Sequence, residues 1–170
     1  PIPMRVRIAT AHSLAPLQVQ AAMQMLLLEW HVDDDVPDTL VTDPLRWGQI
    51  LLNLAGNALK FTEQGSVQVR VKYQDEGHFK GLLSCTVKDT GVGMTPAQLA
   101  RAFEPYAQVN EHATSRGTGL GLPIVMRLLD LMGGTLDAHS APGDGSTFTF
   151  HVPANRPGPP AFDGADELLL

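Results

Sequence analysis

Three polar residues between Leu45 and Thr62, namely Asn53, Asn57 and Lys60, recur at intervals of four and three. On a helix that spacing places all three on one face. Asparagine is a mediocre helix former because its amide competes for nearby backbone groups. Two of them one turn apart are either a solvated face, satisfied by water or backbone, or a site. As a site they suit a hard divalent cation through their amide oxygens, with the Lys60 ammonium reaching a phosphate. A second element is Asp89 in the run DTGVGM, where Gly91 and Gly93 permit close approach. A carboxylate there accepts a hydrogen bond from an exocyclic amine such as adenine N6, worth roughly 1.5–3 kcal/mol. That would favour adenine over guanine, which offers a carbonyl at the same position; the alternative is a plain Asp-Thr-Gly turn. The third element is GTGLGL, Gly117 to Leu122. Its backbone N–H groups can converge on a phosphate at the positive end of a helix. A dinucleotide-binding crossover would require these glycines directly after the first strand, with an acid about 20 residues on. They follow a polar loop instead, so that arrangement is set aside.

The elements that position these residues follow from periodicity and punctuation. Asp43 stands where an N-cap belongs, and Pro44 occupies the first helical position. Leu51, Leu54, Ala55, Ala58 and Leu59 spread over the remaining surface of that helix and suit burial against a sheet. Ser66 to Tyr73 alternates Val67, Val69 and Val71 with polar residues, which predicts a half-buried strand. A hairpin loop over Asp75 to Gly81 and a second strand over Leu82 to Val87 lead to Asp89. Thr95-Pro96 caps a short helix through Ala102, and Phe103 to Arg116 is a long polar loop of the kind that is either a functional lid or disordered. A helix from Gly117 to about Met132 stops at Gly133-Gly134. Strands over Thr135 to Ser140 and Ser146 to Val152 flank the turn Ala141 to Gly145. Upstream, alternation over Arg5 to Thr10 is a weak strand signal, and Pro16 to Leu28 reads as a helix giving way to a strand that ends at Val32. A turn with Pro37 and a short strand over Thr39 to Thr42 follow. The sum predicts an α+β fold, a two-layer α/β sandwich with a mixed, mostly antiparallel sheet and about three helices on one face. Residues 1–41 read as a lead-in joining the domain, 42–153 as the domain itself and 154–170 as a Pro/Gly-rich linker or tail.

At 170 residues the chain can bury a single good core. A formal net charge of −6 without any Lys/Arg cluster argues against a nucleic-acid partner. No stretch approaches the ~20 continuous apolar residues of a membrane span, so neither membrane contact nor a leader is expected, and the setting reads as cytoplasmic. Cys85 is the only cysteine and lies in an apolar run, which predicts a buried thiol in a reducing compartment. The chain opens on Pro1, as a piece of something longer would.

The order NLAGNALKF, DTGVGM, FEPY, GTGLGL and GDGSTFTF resembles the N, G1, F, G2 and terminal glycine boxes of the ATP-binding catalytic domain of bacterial sensor histidine kinases. That domain is a branch of the GHKL superfamily of gyrase, Hsp90, kinase and MutL, with the Bergerat-type fold. The resemblance covers about Thr42 to Val152, and the wording FEPYAQ looks most like hybrid-type kinases. It implies ATP and Mg²⁺ as ligands, with Asn57 the principal magnesium ligand and Asn53 an auxiliary one. It implies Lys60 on phosphate, Phe61 beside the adenine, Asp89 on the adenine amine, and Gly91 and Gly93 admitting the base. Phe103 would pin the lid, Arg116 would stabilise the γ-phosphate, and the main chain of Gly117, Gly119 and Gly121 would wrap the phosphates. Met94, Thr118, Leu120, Leu122 and Thr147 complete the implied nucleotide-binding set.

Hydrolytic relatives in that superfamily carry a general-base glutamate one turn before the magnesium asparagine, and here Asn53 stands there. An amide cannot take a proton near neutral pH, so efficient hydrolysis is not expected. The implied acceptor is a histidine followed by an acid on a helical hairpin. None of His12, His31, His78, His112, His139 and His151 has an acid next after it. The implied partners are therefore a separate histidine-bearing dimerisation and phosphotransfer domain and a response-regulator receiver domain, with the fragment itself monomeric. The lid sequence ATSRGTGLGL departs from the usual pattern in having one Arg, no second Gly before GTG, and Pro123 after it.

Overall fold

The computed structural model describes residues 1–104 and 121–159. Among them the elements run β1 (Ile2–Arg5), α1 (Val6–Met23), β2 (Leu27–Val32), β3 (Thr39–Thr42), α2 (Pro44–Lys60), β4 (Ser66–Gly77), β5 (Lys80–Asp89), α3 (Pro96–Ala102), α4 (Gly121–Met132), β6 (Thr135–Ala141) and β7 (Gly145–Pro153). Five strands form one sheet in the order β2-β4-β5-β7-β6, and β1 pairs with β3 in a small separate sheet. Only β2 against β4 is parallel; the other pairings are antiparallel. Helix α2 lies between α1 and α4, and these helices cover one face of the large sheet. The α+β sandwich with a mixed, mostly antiparallel sheet thus matches the expectation, with α3 as a short fourth helix.

The core sits between α2 and the central strands. Trp47, Ile50, Leu51, Leu54 and Leu59 of α2 are buried against Val67, Val69 and Val71 of β4, Leu83, Cys85 and Val87 of β5, and Phe150 of β7. The Trp47 and Phe150 rings meet at 5.0 Å between centroids with a 56° tilt, within the range aromatic pairs prefer. Burial drives the Cys85 thiol pKa strongly upward, so it is an inert part of this core. On the outer face of the sheet, Ser84 Oγ lies 2.6 Å from His151 Nδ1, and His151 Nε2 lies 3.1 Å from Asp137 Oδ2. This chain of contacts links β5, β7 and β6.

Three local expectations differ from what the chain does. Arg5 to Thr10 starts a helix rather than a strand. Val6, Thr10, Leu14, Leu17 and Ala21 are all buried at helical spacing, whereas Ile8, which alternation would have buried beside Val6, is 54% exposed. Pro16 lies inside this helix rather than at its start. The loop expected over Asp75 to Gly81 is a tight turn, because β4 and β5 pair as far as Gly77 and Lys80. His78 and Phe79 supply the two positive φ angles, 52° and 62°, that a primed turn demands. Finally, the stretch read as a tail begins docked. Tyr73 Oη donates to the Ala154 carbonyl at 3.0 Å, Asn155 bridges to Val41, and Arg156 pairs with Asp75 at 3.0 Å. Residues 1–41 likewise supply β1, α1, β2 and β3, and Met4, Leu14, Leu28 and Leu40 belong to the common core.

Because Trp47 is fully buried and packed against Phe150, Trp47→Ala is expected to cost about 3–5 kcal/mol. Urea denaturation followed by far-UV circular dichroism measures this.

Candidate functional site

Helix α2 is aimed by its first turn. Asp43 accepts a hydrogen bond from the Arg46 backbone N–H at 3.0 Å and pairs with the Arg46 guanidinium at 2.8 Å, with Pro44 in the first turn. From that start, one flank of α2 carries Leu51, Leu54, Ala55 and Ala58 into the core. The other flank carries Asn53 and Asn57, both half-buried, and the exposed Lys60. Among the described residues neither carboxamide hydrogen-bonds a protein group. The start of α4 abuts this flank so closely that a Cβ on Gly121 would lie 2.7 Å from Asn57 Nδ2. No group of three or more His, Cys, Asp or Glu side chains suited to a metal occurs among the described residues.

Across from α2, Asp89 ends β5. Strand alternation puts its side chain on the same buried face as Val87 and Cys85, and it is only 5% exposed. Its Oδ1 accepts backbone N–H bonds from Gly91 at 2.9 Å and Ser146 at 3.2 Å. Burial raises its carboxyl pKa above the ordinary carboxylate value, and these two donors pull it partway back. Its second oxygen, Oδ2, makes no hydrogen bond to any described residue. The loop after Asp89 is threaded between two walls. A Cβ on Gly91 would lie 2.3 Å from the Phe61 carbonyl oxygen at the C-terminal end of α2. Gly93 has φ +68°, and a Cβ there would lie 1.9 Å from the Ala141 carbonyl oxygen. Val92 and Met94 are held to the β6–β7 hairpin by Gly143 N–H to Val92 O and Met94 N–H to Ser140 Oγ, both 2.8 Å. These two glycines are required by close backbone approach and, at Gly93, by a left-handed conformation.

Phe61, at the end of α2, thus meets the loop of Asp89 and Gly91, while Gly93 and Met94 of that loop meet the β6–β7 hairpin. One turn earlier on α2, Asn57 meets Gly121 of α4, and Asn53 lies a further turn back. The Phe61 ring is 42% exposed, whereas Phe103 is half-buried against the core. Leu122 is buried at 7% exposure and serves as a core residue of α4. Thr147 is not brought to the site. It pairs with Lys88 while Ser146 pairs with Asp89, so alternation turns Thr147 to the opposite face of the sheet. The residue that meets the carboxylate is Ser146, one position earlier. Ser146 and Ser140 were missed in the sequence, where the only signal was their place around the turn glycines. Arg116, Gly117, Thr118, Gly119 and Leu120 lie outside the described residues, as does the expected helix start at Gly117; the described part of α4 begins at Gly121.

A raised native pKa means that ionising Asp89 costs folding stability as pH rises from the unfolded carboxyl value through the native one. Asp89→Asn keeps an acceptor for Gly91 and Ser146 but carries no charge. It is expected to be at least as stable as the parent at pH 7, with any gain vanishing below the unfolded carboxyl pKa, and to lose ligand binding. Urea titrations at pH 7 and pH 3.5 check the stability half, and nucleotide titration the other.

With this geometry in view, known proteins supply the comparison. Residues 42–156 match the family model described as histidine kinase-, DNA gyrase B- and HSP90-like ATPase. Signal transduction histidine-protein kinase BarA of Escherichia coli K12 is 40% identical over 129 residues, covering 75% of this chain and 14% of BarA. Sensor histidine kinase GacS of Pseudomonas protegens is 36% identical over 169 residues, covering 94% of this chain and 18% of GacS. The chain therefore spans less than a fifth of the length of these relatives. Full-length ShkA, crystallised in complex with AMPPNP, superposes with a TM-score of 0.78 at 34% identity, over 93% of this chain and 32% of ShkA. The chain belongs to the histidine kinase-, DNA gyrase B- and HSP90-like ATPase family, as an ATP-binding catalytic domain of the sensor histidine kinase kind.

Proposed function

We propose that this chain binds Mg·ATP in the cleft between α2 and the loop after Asp89, and transfers the γ-phosphoryl group to a histidine on a separate dimerisation and phosphotransfer domain. The observation that carries the reading is the pair of half-buried carboxamides one turn apart on α2, Asn53 and Asn57, with Asn57 beside Gly121 at the start of α4. Neither is engaged by a described residue, so their amide oxygens are free to meet a cation. Asn57 and Asn53 would hold the magnesium, which neutralises phosphate charge when bound, and Lys60 would add a cation. Asp89 Oδ2 would accept the adenine amine while Phe61 borders the base. Arg116 and the main chain of Gly117, Gly119 and Gly121 would engage the phosphates, with Thr118 and Leu120 in the same loop.

Phosphoryl transfer depends chiefly on positioning and charge neutralisation, and an imidazole is already a good nucleophile. Hydrolysis needs a base for water, and Asn53 cannot serve as one. This supports a histidine acceptor over water. Partners under this reading are the histidine-bearing hairpin of the same full-length protein and a receiver domain, with the fragment itself monomeric and acting on the cytoplasmic side. Among the described residues no helix is long and apolar enough to cross a membrane.

Mixing the chain with a histidine-bearing hairpin domain and γ-labelled ATP is expected to yield an acid-labile, alkali-stable phosphate on the hairpin. Asn57→Ala is expected to abolish that transfer and weaken nucleotide binding by at least about tenfold, the scale of lost charge-assisted contacts. Brisk hydrolysis by the chain alone would identify a water-activating ATPase instead, and binding without transfer a silent nucleotide-binding module.

A further inference from the structure

We propose that Ser140 is a positioning residue for nucleotide binding, its hydroxyl joining the loop that carries Gly91 and Gly93 to the hairpin that holds Asp89. This rests on the nucleotide-binding reading above. Ser140 lies half-buried near the end of β6, just before the turn to β7. Its Oγ accepts from the Met94 backbone N–H at 2.8 Å, donates to the Gly145 carbonyl at 3.2 Å, and lies 2.7 Å from Ser146 Oγ. A hydroxyl has one proton and two lone pairs. The contact with Ser146 admits either hydroxyl as donor, and whichever donates, Ser140 Oγ still accepts from the Met94 N–H. Its three contacts go to three different residues.

A serine needed only to close its own turn would bond within the β6–β7 hairpin. The bond to Met94 leaves the hairpin and spans 46 residues of sequence. Met94 is followed at once by Thr95, whose hydroxyl accepts from Gln98 N–H at 3.2 Å while Gln98 Oε1 accepts from Thr95 N–H at 2.9 Å. That capping box starts α3, which has no buried residue of its own. Ser140 thus fixes the backbone between the loop after Asp89 and the base of α3. On its other side, Ser146 donates through its own N–H to Asp89 Oδ1 at 3.2 Å. One hydroxyl therefore sets the separation between the carboxylate that reads the base and the loop glycines that admit it. Without it, the Met94 N–H loses its side-chain partner, and the loop must be ordered at the moment the nucleotide binds.

Titration of the 170-residue chain with a fluorescent ATP analogue and Mg²⁺ tests this. Ser140→Ala is expected to weaken binding about five- to thirtyfold, the factor that one or two lost hydrogen bonds command. Ser140→Thr, which keeps the hydroxyl, is expected to restore binding to within about threefold. Hydrogen exchange should show the Met94 amide losing protection in Ser140→Ala while the Gly91 amide, held by Asp89, keeps it. Undiminished binding by Ser140→Ala overturns the proposal, as does Ser140→Thr binding as poorly as Ser140→Ala. Should Ser140→Ala fail to fold, Ser146→Ala decides. It is expected to weaken binding about two- to threefold, and wild-type affinity overturns the proposal. A parent chain that binds no nucleotide overturns the functional reading together with this one, whereas a parent that binds beside an unaffected Ser140→Ala overturns this one alone.

Discussion

Helix α2 has to satisfy two incompatible demands, and the rest of the domain is arranged around the compromise. One flank carries Trp47, Ile50, Leu51, Leu54 and Leu59 into a close-packed core, where even a methylene is felt. The opposite flank carries two carboxamides without a protein partner among the described residues. A helix cannot rotate to satisfy the second flank without lifting the first from the sheet. Burial of the aromatic and aliphatic flank therefore holds the amides in place. The orientation of the two carboxamides depends on packing they do not take part in.

Two glycines serve the same end by allowing backbones to come together. Gly91 approaches the Phe61 carbonyl and Gly93 approaches the Ala141 carbonyl, and either contact would be blocked by a single Cβ. Gly121 instead lies against the Asn57 side chain. The loop after Asp89 is thereby pressed between the end of α2 and the β6–β7 hairpin. The buried carboxylate at its root is held by two backbone donors on one oxygen. Its raised pKa is the electrostatic consequence of keeping that charge in a dry wall.

Nearly all of this is local chemistry until the hairpin arrives. Ser140 and Ser146 come from the end of the domain, β6 and β7, yet their hydroxyls and N–H groups complete the wall around residues 89–94. The β5–β7 pairing brings Ser146 opposite Asp89, and β6 follows because it pairs with β7. The surroundings of Asp89 are therefore assembled by sheet order, β4-β5-β7-β6, rather than by any contiguous stretch of chain.

The sequence by itself determined α2, its Asp43 cap, its two flanks, the strands β4 through β7 and the α+β class. Each of these rests on periodicity or capping within a few residues. The same reasoning placed Asn53, Asn57 and Asp89 correctly on one helix flank and one strand end. It failed where the deciding contact is distant. Val6 to Met23 is a helix because Val6, Thr10, Leu14 and Leu17 find a buried face across α2, and alternation over six residues cannot sense that face. The His78-Phe79 turn lacks the glycine that marks such turns and is imposed by the pairing of its strands. Thr147 was assigned to the site one residue out, because only the register of β5 against β7 says which of two neighbours meets Asp89. A shift of one residue reverses every side chain on a strand, and register is a property of the folded sheet, not of either strand alone.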